Sequence, residues 1–239
     1  MKEWIYILLM MVFASCSNDD YPTVQPDSTG KWTTPDGKFT YGTVYYGDLE
    51  WMTENLKSGT PYYEMQFGET LSNNSGEPQR VSSYILDFDF EEDLNEYGNL
   101  YTYKGAVEAS EALGDGWRLP TDEDWKSLEM ALGMSVGEAS KEGWRGNHTA
   151  TLIQEGRDGS GLTMQLGGHV VRDGFGSQLR LLSIGEMGYY WSASTIWQEG
   201  FSMPLIYYRK LLYSSGKVYR GVVPADQLMR VRCCRDAGK

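Results

Sequence analysis

The spacing of hydrophobic and polar positions changes character along the chain. From 38 to 46, aromatic residues alternate with small or polar ones up to Gly47-Asp48. That is the period-two pattern of a strand closed by a turn, and 49–52 reads as the return strand. Residues 62–67 form another strand candidate, followed by a polar loop at 68–80. Between 105 and 113 the period becomes helical: Ala106, Val107, Ala109, Ala112 and Leu113 fall on one face, and Gly114 supplies the stop. A second helix starts at Thr121, whose hydroxyl caps free amides while Asp124, three residues on, completes a capping box. Trp125, Leu128 and Leu132 form its buried stripe and Gly133 its end. After Gly146 the pattern turns to short β-runs broken by glycine, at 149–153, 162–166, 169–171, 189–194, 205–212, 217–222 and 229–233. Two helices early and strands late predict an α+β fold with a mainly antiparallel sheet of short strands. With no repeat and no second break in composition, 37–239 reads as a single domain.

The first 36 residues follow other rules. Lys2 precedes an apolar run over 4–15, whose 12 residues fall well short of the ~20 that span a bilayer as a helix. The run fits the core of a secretory signal. Phe13-Ala14-Ser15-Cys16 is similar to a bacterial lipobox, so 1–15 is expected to be removed and Cys16 acylated. A plain signal peptide cut near Ala14 is the alternative, and Glu3, offsetting Lys2, departs from the usual net positive start. Ser17, Asn18, Asp19 and Asp20 resemble the export signal of surface lipoproteins in Bacteroidota, with a merely solvated tether as the alternative. Residues 16–36 contain Pro22, Pro26 and Pro35 and few aliphatic side chains, the composition of a flexible tether reaching about 25 Å. The expected address is the outer membrane, lipid-anchored, with the domain facing the exterior.

Composition narrows the partners. Lys and Arg number 21 against 33 Asp and Glu, a net charge of −12, which argues against nucleic acid because phosphate binding needs a basic face. Hydrophobic residues at 41% and aromatic ones at 13% are enough to bury a core, so the bulk of the chain is expected to fold. Three cysteines, one of them committed to acylation, exclude a disulfide scaffold.

Several segments carry a family resemblance. They are Trp51-Met52-Thr53-Glu54-Asn55-Leu56, Tyr97-Gly98-Asn99-Leu100-Tyr101, Gly116-Trp117-Arg118-Leu119-Pro120-Thr121-Asp122-Glu123-Asp124-Trp125, Gly167-Gly168, Tyr190-Trp191-Ser192-Ala193-Ser194 and Val231-Arg232-Cys233-Cys234-Arg235-Asp236. In this order they resemble the Fibrobacter succinogenes major paralogous domain, over roughly 36–236. The resemblance implies a C-type-lectin-like fold, distantly similar to formylglycine-generating enzymes. Physically the same residues read as scaffold: Arg118 bonding across a turn, Pro120 stopping a strand, and Trp125 and Trp191 anchoring the core.

Candidate chemistry is sparse. His148 and His169 have no partner at metal-ligand spacing, and Ser192 and Ser194 sit in no nucleophile elbow. Asp87, Asp89, Glu91 and Asp93 alternate along one run and are weak candidates for a hard cation, with a solvated acidic edge as the preferred reading. No calcium-lectin motif is present and no cofactor is expected. Adjacent Cys233 and Cys234 point to opposite faces of a strand, so they cannot act as the spaced thiol pair of a formylglycine-generating enzyme. Cys233 is expected on the buried face and Cys234 on the other. The sequence therefore favours a non-catalytic surface module that binds or adheres to a glycan or to an envelope or host protein. A structural subunit of a surface or fimbria-like assembly is the second reading, and a formylglycine-generating-enzyme-like oxidoreductase a distant third. Loops 68–80, 87–97 and 195–204 are the candidate ligand contacts, with Tyr84 and Trp197 as stacking residues.

Overall fold

A computed structural model describes residues 23–59, 71–72, 78–79, 96–154, 159–172 and 179–238. Cys16, Ser17, Asn18, Asp19, Asp20, Tyr84, Asp87, Asp89, Glu91 and Asp93 lie outside the described residues, as does the strand expected at 62–67.

The fold is α+β, with mostly antiparallel strands. One sheet has the order β1-β2-β3-β12, built from Ser28–Thr33, Thr40–Tyr46, Leu49–Met52 and Cys234–Asp236. Its last strand closes beside β3, pairing Cys234 with Trp51, so the two ends of the domain meet in one sheet. The larger sheet has six strands, β6 (Gly143–Arg145), β11 (Val218–Val223), β10 (Leu205–Leu212), β9 (Met187–Ile196), β7 (Gly167–Arg172) and β8 (Leu179–Ile184), in that spatial order. Only the β7–β9 contact in it is parallel. A small hairpin pairs β4 (Leu71–Ser72) with β5 (Pro78–Gln79).

Both expected helices form, as α1 (Tyr103–Glu111) and α2 (Asp122–Ala131). Thr102 caps α1 by accepting from the Gly105 amide at 3.1 Å. The capping box of α2 is present as read from the sequence: the Asp124 amide donates to Thr121 Oγ1, and the Thr121 amide to Asp124 Oδ2 at 2.7 Å. Two short helices follow, α3 (Val136–Ala139) and α4 (Thr149–Ile153). The last was expected as a strand. All five of its residues are buried, and a short continuous apolar run has no period by which to tell strand from helix.

The tether is shorter than its composition suggested. Residues 28–33 form β1, in register with β2 from Ser28 opposite Tyr45 to Thr33 opposite Thr40. Trp32 holds this strand down, its ring 5.4 Å from that of Trp117 and its indole N–H donating to Asp115 at 3.0 Å. A single large aromatic side chain thus recruits a segment that its prolines and polar residues mark as linker.

Two hydrophobic clusters lie on opposite faces of these strands. One gathers Met52, Leu56, Tyr101, Trp117, Trp191 and Cys233, the other Trp51, Trp125, Leu128, Tyr190, Leu211 and Cys234. Neighbouring residues on one strand therefore enter different cores, as side-chain alternation requires.

Candidate functional site

The residues of the resemblance are mostly interior. Asn55 donates to the Tyr97 carbonyl and Asn99 to that of Lys57, both at 2.8 Å, locking two irregular segments together. Arg232, fully buried, donates to the carbonyls of Met52, Leu162 and Thr163 and to the Gln165 side chain. Arg118 pairs with Asp124 and also with Asp236 at 3.1 Å, so it joins the start of α2 to β12. At Gly168, φ is +74° and an added Cβ would lie 2.5 Å from the Leu182 carbonyl, so only glycine fits this crossing of β7 and β8. These positions build the frame.

The thiols belong to the frame as well. Cys233 and Cys234 do occupy opposite faces, but the second face is core too, and both side chains are inaccessible. Burial pushes both thiols up from their ordinary range; at Cys234 the nearby Asp124 carboxylate adds to this and Arg118 opposes it. The exposed Cys234 expected from alternation is thus corrected by a core on each side. Neither thiol should react with Ellman's reagent in the native protein, and both should react once guanidinium unfolds it. Rapid native labelling of either would contradict this placement.

The six-stranded sheet presents two unlike faces. Beneath it lies a buried ion network. Arg209 of β10 donates to Asp122 at 2.8 Å and to Glu129 at 2.7 Å, both on α2. Arg220 of β11 grips Asp122 through Nε and Nη2, and Arg145 of β6 lies 2.7 Å from Glu129. Burial alone would raise the Asp122 carboxyl, but the Arg220 and Arg209 guanidinium groups outweigh it and hold the group below its ordinary value. The network clamps α2 across three strands.

The upper face carries a row of residues placed side by side by the strand register. Trp144 of β6 stands opposite Tyr219 of β11, Tyr219 opposite Lys210 of β10, and Lys210 opposite Tyr189 of β9. Parallel pairing of Gly188 with Gly168 sets His169 of β7 beside Tyr189, and His169 pairs with Leu182 of β8. Every strand of the sheet contributes one member. At about 4.8 Å between strands the row runs roughly 24 Å. Its rings touch: Trp144 and Tyr219 meet edge to face at 5.3 Å, and His169 lies 5.2 Å from Tyr189. Lys210 sits among them, its ammonium 4.5 Å from the Tyr219 ring, 5.1 Å from Trp144 and 5.7 Å from Tyr189. Gly221 makes room for this arrangement, since a Cβ there would lie 2.7 Å from the Tyr219 ring and 3.3 Å from that of Tyr208. Trp144 and Leu182 are exposed, while Tyr219, Lys210, Tyr189 and His169 are half-buried. Burial lowers the His169 imidazole below its ordinary value, and the neighbouring Lys210 charge adds to this.

Trp197 is exposed at 68%, as expected for a stacking residue, and shares the β9–β10 connection with exposed Phe201 and Met203. It lies past the far end of β9, eight positions from Tyr189 in sequence and so about 25 Å away by strand rise. The structure does not bring Trp197 to the row. Trp197→Ala should change stability by less than about 0.5 kcal/mol in urea unfolding. A larger loss would place its ring in a packed contact. Trp144, Tyr219 and Tyr189 look in the sequence like ordinary strand aromatics, and nothing local links them to Lys210, His169 or Leu182; only the pairing across all six strands assembles the row. Among the described residues no group of three or more His, Cys, Asp or Glu could hold a metal ion.

Frame and faces together define a two-sheet α+β domain whose signature residues maintain the core. The family described as the Fibrobacter succinogenes major domain matches residues 44–235. The chain belongs to that family. No curated protein and no solved structure matches it.

Proposed function

We propose that the protein is a surface-exposed lipoprotein, anchored through acylated Cys16 in the outer membrane, whose C-type-lectin-like domain is a non-catalytic module for binding or adhesion. Glycan or protein is its ligand. The ring row on the six-stranded sheet, at the margin of the first hydrophobic cluster, carries the reading. Half-buried rings already held by strand register lose little freedom when a ligand packs on them, so their contact area converts well into affinity. Trp197 offers a second, separate contact on a loop. The inaccessible thiols speak against the oxidase-like alternative, because a thiolate must reach its substrate.

The full chain, displayed on cells, tests this. Displaying cells should bind immobilised glycans or extracellular proteins in the presence of EDTA, and Cys16→Ser should abolish display. Trp197→Ala should weaken attachment by about 1–3 kcal/mol where that ring is seated in the contact. Displayed protein that attaches to no surface, or oxidises a cysteine-containing sulfatase peptide, would overturn the reading.

A further inference from the structure

We propose that the ring row centred on Lys210 is a binding site for an anionic polysaccharide, with the sugar acid, carboxylate or sulfate, seated on the Lys210 ammonium and its neighbouring sugar rings on Trp144, Tyr219 and Tyr189. This rests on the reading of the protein as a binding module and names the ligand class.

Charge complementarity is the first support. The buried guanidinium groups around this sheet all have oxygen partners: Arg209 and Arg220 on Asp122, Arg145 on Glu129, and Arg232 on carbonyls and Gln165. Lys210, the next residue after Arg209 on the same strand, points to the opposite face and lies over three rings, those of Trp144, Tyr189 and Tyr219. No carboxylate among the described residues lies within ion-pair distance of it. An ammonium held among aromatic faces is stabilised by their quadrupoles yet keeps its N–H donors for an acceptor from outside. The protein carries a net charge of −12, so an isolated cation among rings is a local exception to its surface. An anion landing there enters a partly desolvated site, where its pairing is worth more than an exposed surface pair. Burial lowers the Lys210 ammonium from its ordinary value, which an incoming anion would reverse.

Geometry is the second support. The row is a strip about 24 Å long and one residue wide, suited to an extended polymer rather than to a compact metabolite. It runs across all six strands, whose backbone N–H and C=O groups are engaged in the ladders, so a peptide lying along it cannot add as an extra strand. What the strip offers is ring edges, hydroxyl rims and one positive charge, since the Tyr189 ring is stacked on Tyr208 at 6.1 Å and lies 5.2 Å from His169. Sugars with alternating apolar faces and acidic groups use all three.

Affinity electrophoresis of the full-length lipidated chain in detergent tests the site, with polygalacturonate as carboxylate probe, dextran sulfate as sulfate probe and unmodified dextran as neutral probe. Retardation by at least one acidic probe and not by dextran is expected, and the two acidic gels assign the anion. Lys210→Met should weaken that retardation about tenfold or more, Lys210→Arg should retain most of it, and Trp144→Ala should weaken it several-fold, each with native circular dichroism. Lys210→Met retarded like wild type, equal retardation by dextran, loss in Trp197→Ala alone, or retardation by none of the probes would each overturn the proposal. If none of the probes is retarded while displaying cells still attach, the ligand class fails alone; if attachment is absent too, the binding reading fails with it. Mass-dependent self-association removed by Trp144→Ala, without retardation by either acidic probe, would assign the row to a second copy and also overturn it.

Discussion

Asp122→Ala should lower stability by about 3–5 kcal/mol, because it strips the shared carboxylate from two buried guanidinium groups. Asp122 accepts from Arg209 at 2.8 Å and from Arg220 at 2.6–3.1 Å, and at 5% exposure it is largely shielded from solvent. Removing it leaves Arg209, Arg220 and Arg145 with Glu129 as the one carboxylate of the network. The cost is that of uncompensated buried charge, not of a lost attraction, so replacing Asp122 together with Arg209 and Arg220 by apolar residues should cost much less than Asp122→Ala alone. Guanidinium unfolding followed by tryptophan fluorescence measures both variants, and a single-variant loss below about 1 kcal/mol would show that the network is solvated. The pH dependence has a definite sign. The Asp122 carboxyl is held below its ordinary value of 3.8 in the folded chain, so its contribution is complete above that pH and is lost as pH falls through the lower folded value. Asp122→Asn should therefore flatten the acid limb of the stability curve below pH 3.8 and leave its slope near neutrality unchanged.

Trp191→Ala should be comparably damaging, at about 3–5 kcal/mol. The ring has no exposure, meets Tyr103 edge to face at 5.8 Å, and donates its indole N–H to the Tyr101 carbonyl at 2.8 Å. It stands where β9, α1 and the segment before α1 come together. Deleting it opens a cavity in the cluster that also holds Met52, Leu56 and Cys233. Trp191→Phe keeps most of the volume and loses one hydrogen bond, so its loss should be smaller. For a chain of this size the alanine variant should melt on the order of 10 °C lower, read by calorimetry. A shift of only a few degrees would mean that the cluster closes over the gap.

How far the sequence reveals this fold depends on the range of the interaction that fixes each part. The capping box at Thr121 and Asp124, the stripe of Trp125 and Leu128, and the bounds Leu49–Met52 and Leu205–Leu212 follow from neighbours a few residues apart, and these are legible. Thr149–Ile153 forms a helix because tertiary burial on every side overrides a run with no usable period. Gly143–Arg145 and Leu179–Ile184 escape notice, the first because three residues beside glycine carry too little pattern. Ser28–Thr33 is a strand because Trp32 docks on Trp117, 85 positions along the chain. The family signature was legible, and it proved to describe the interior: Asn55, Asn99, Trp191, Arg232 and Cys233 keep the frame. The candidate site is written instead in the register of six strands, which no local pattern contains. Lys210 and Arg209 are neighbours of like charge, and only the sheet separates a clamp on α2 from a cation among rings.

Hydroxyl-radical footprinting of intact cells displaying the protein, with and without the acidic polysaccharide that retards it, tests the central claim most directly. Recognition through the row predicts that Trp144, Tyr219 and Tyr189 lose oxidation on binding while buried Trp125 and Trp191 stay unmodified throughout. Unchanged oxidation of those three residues at a polysaccharide concentration that saturates the cells would contradict it.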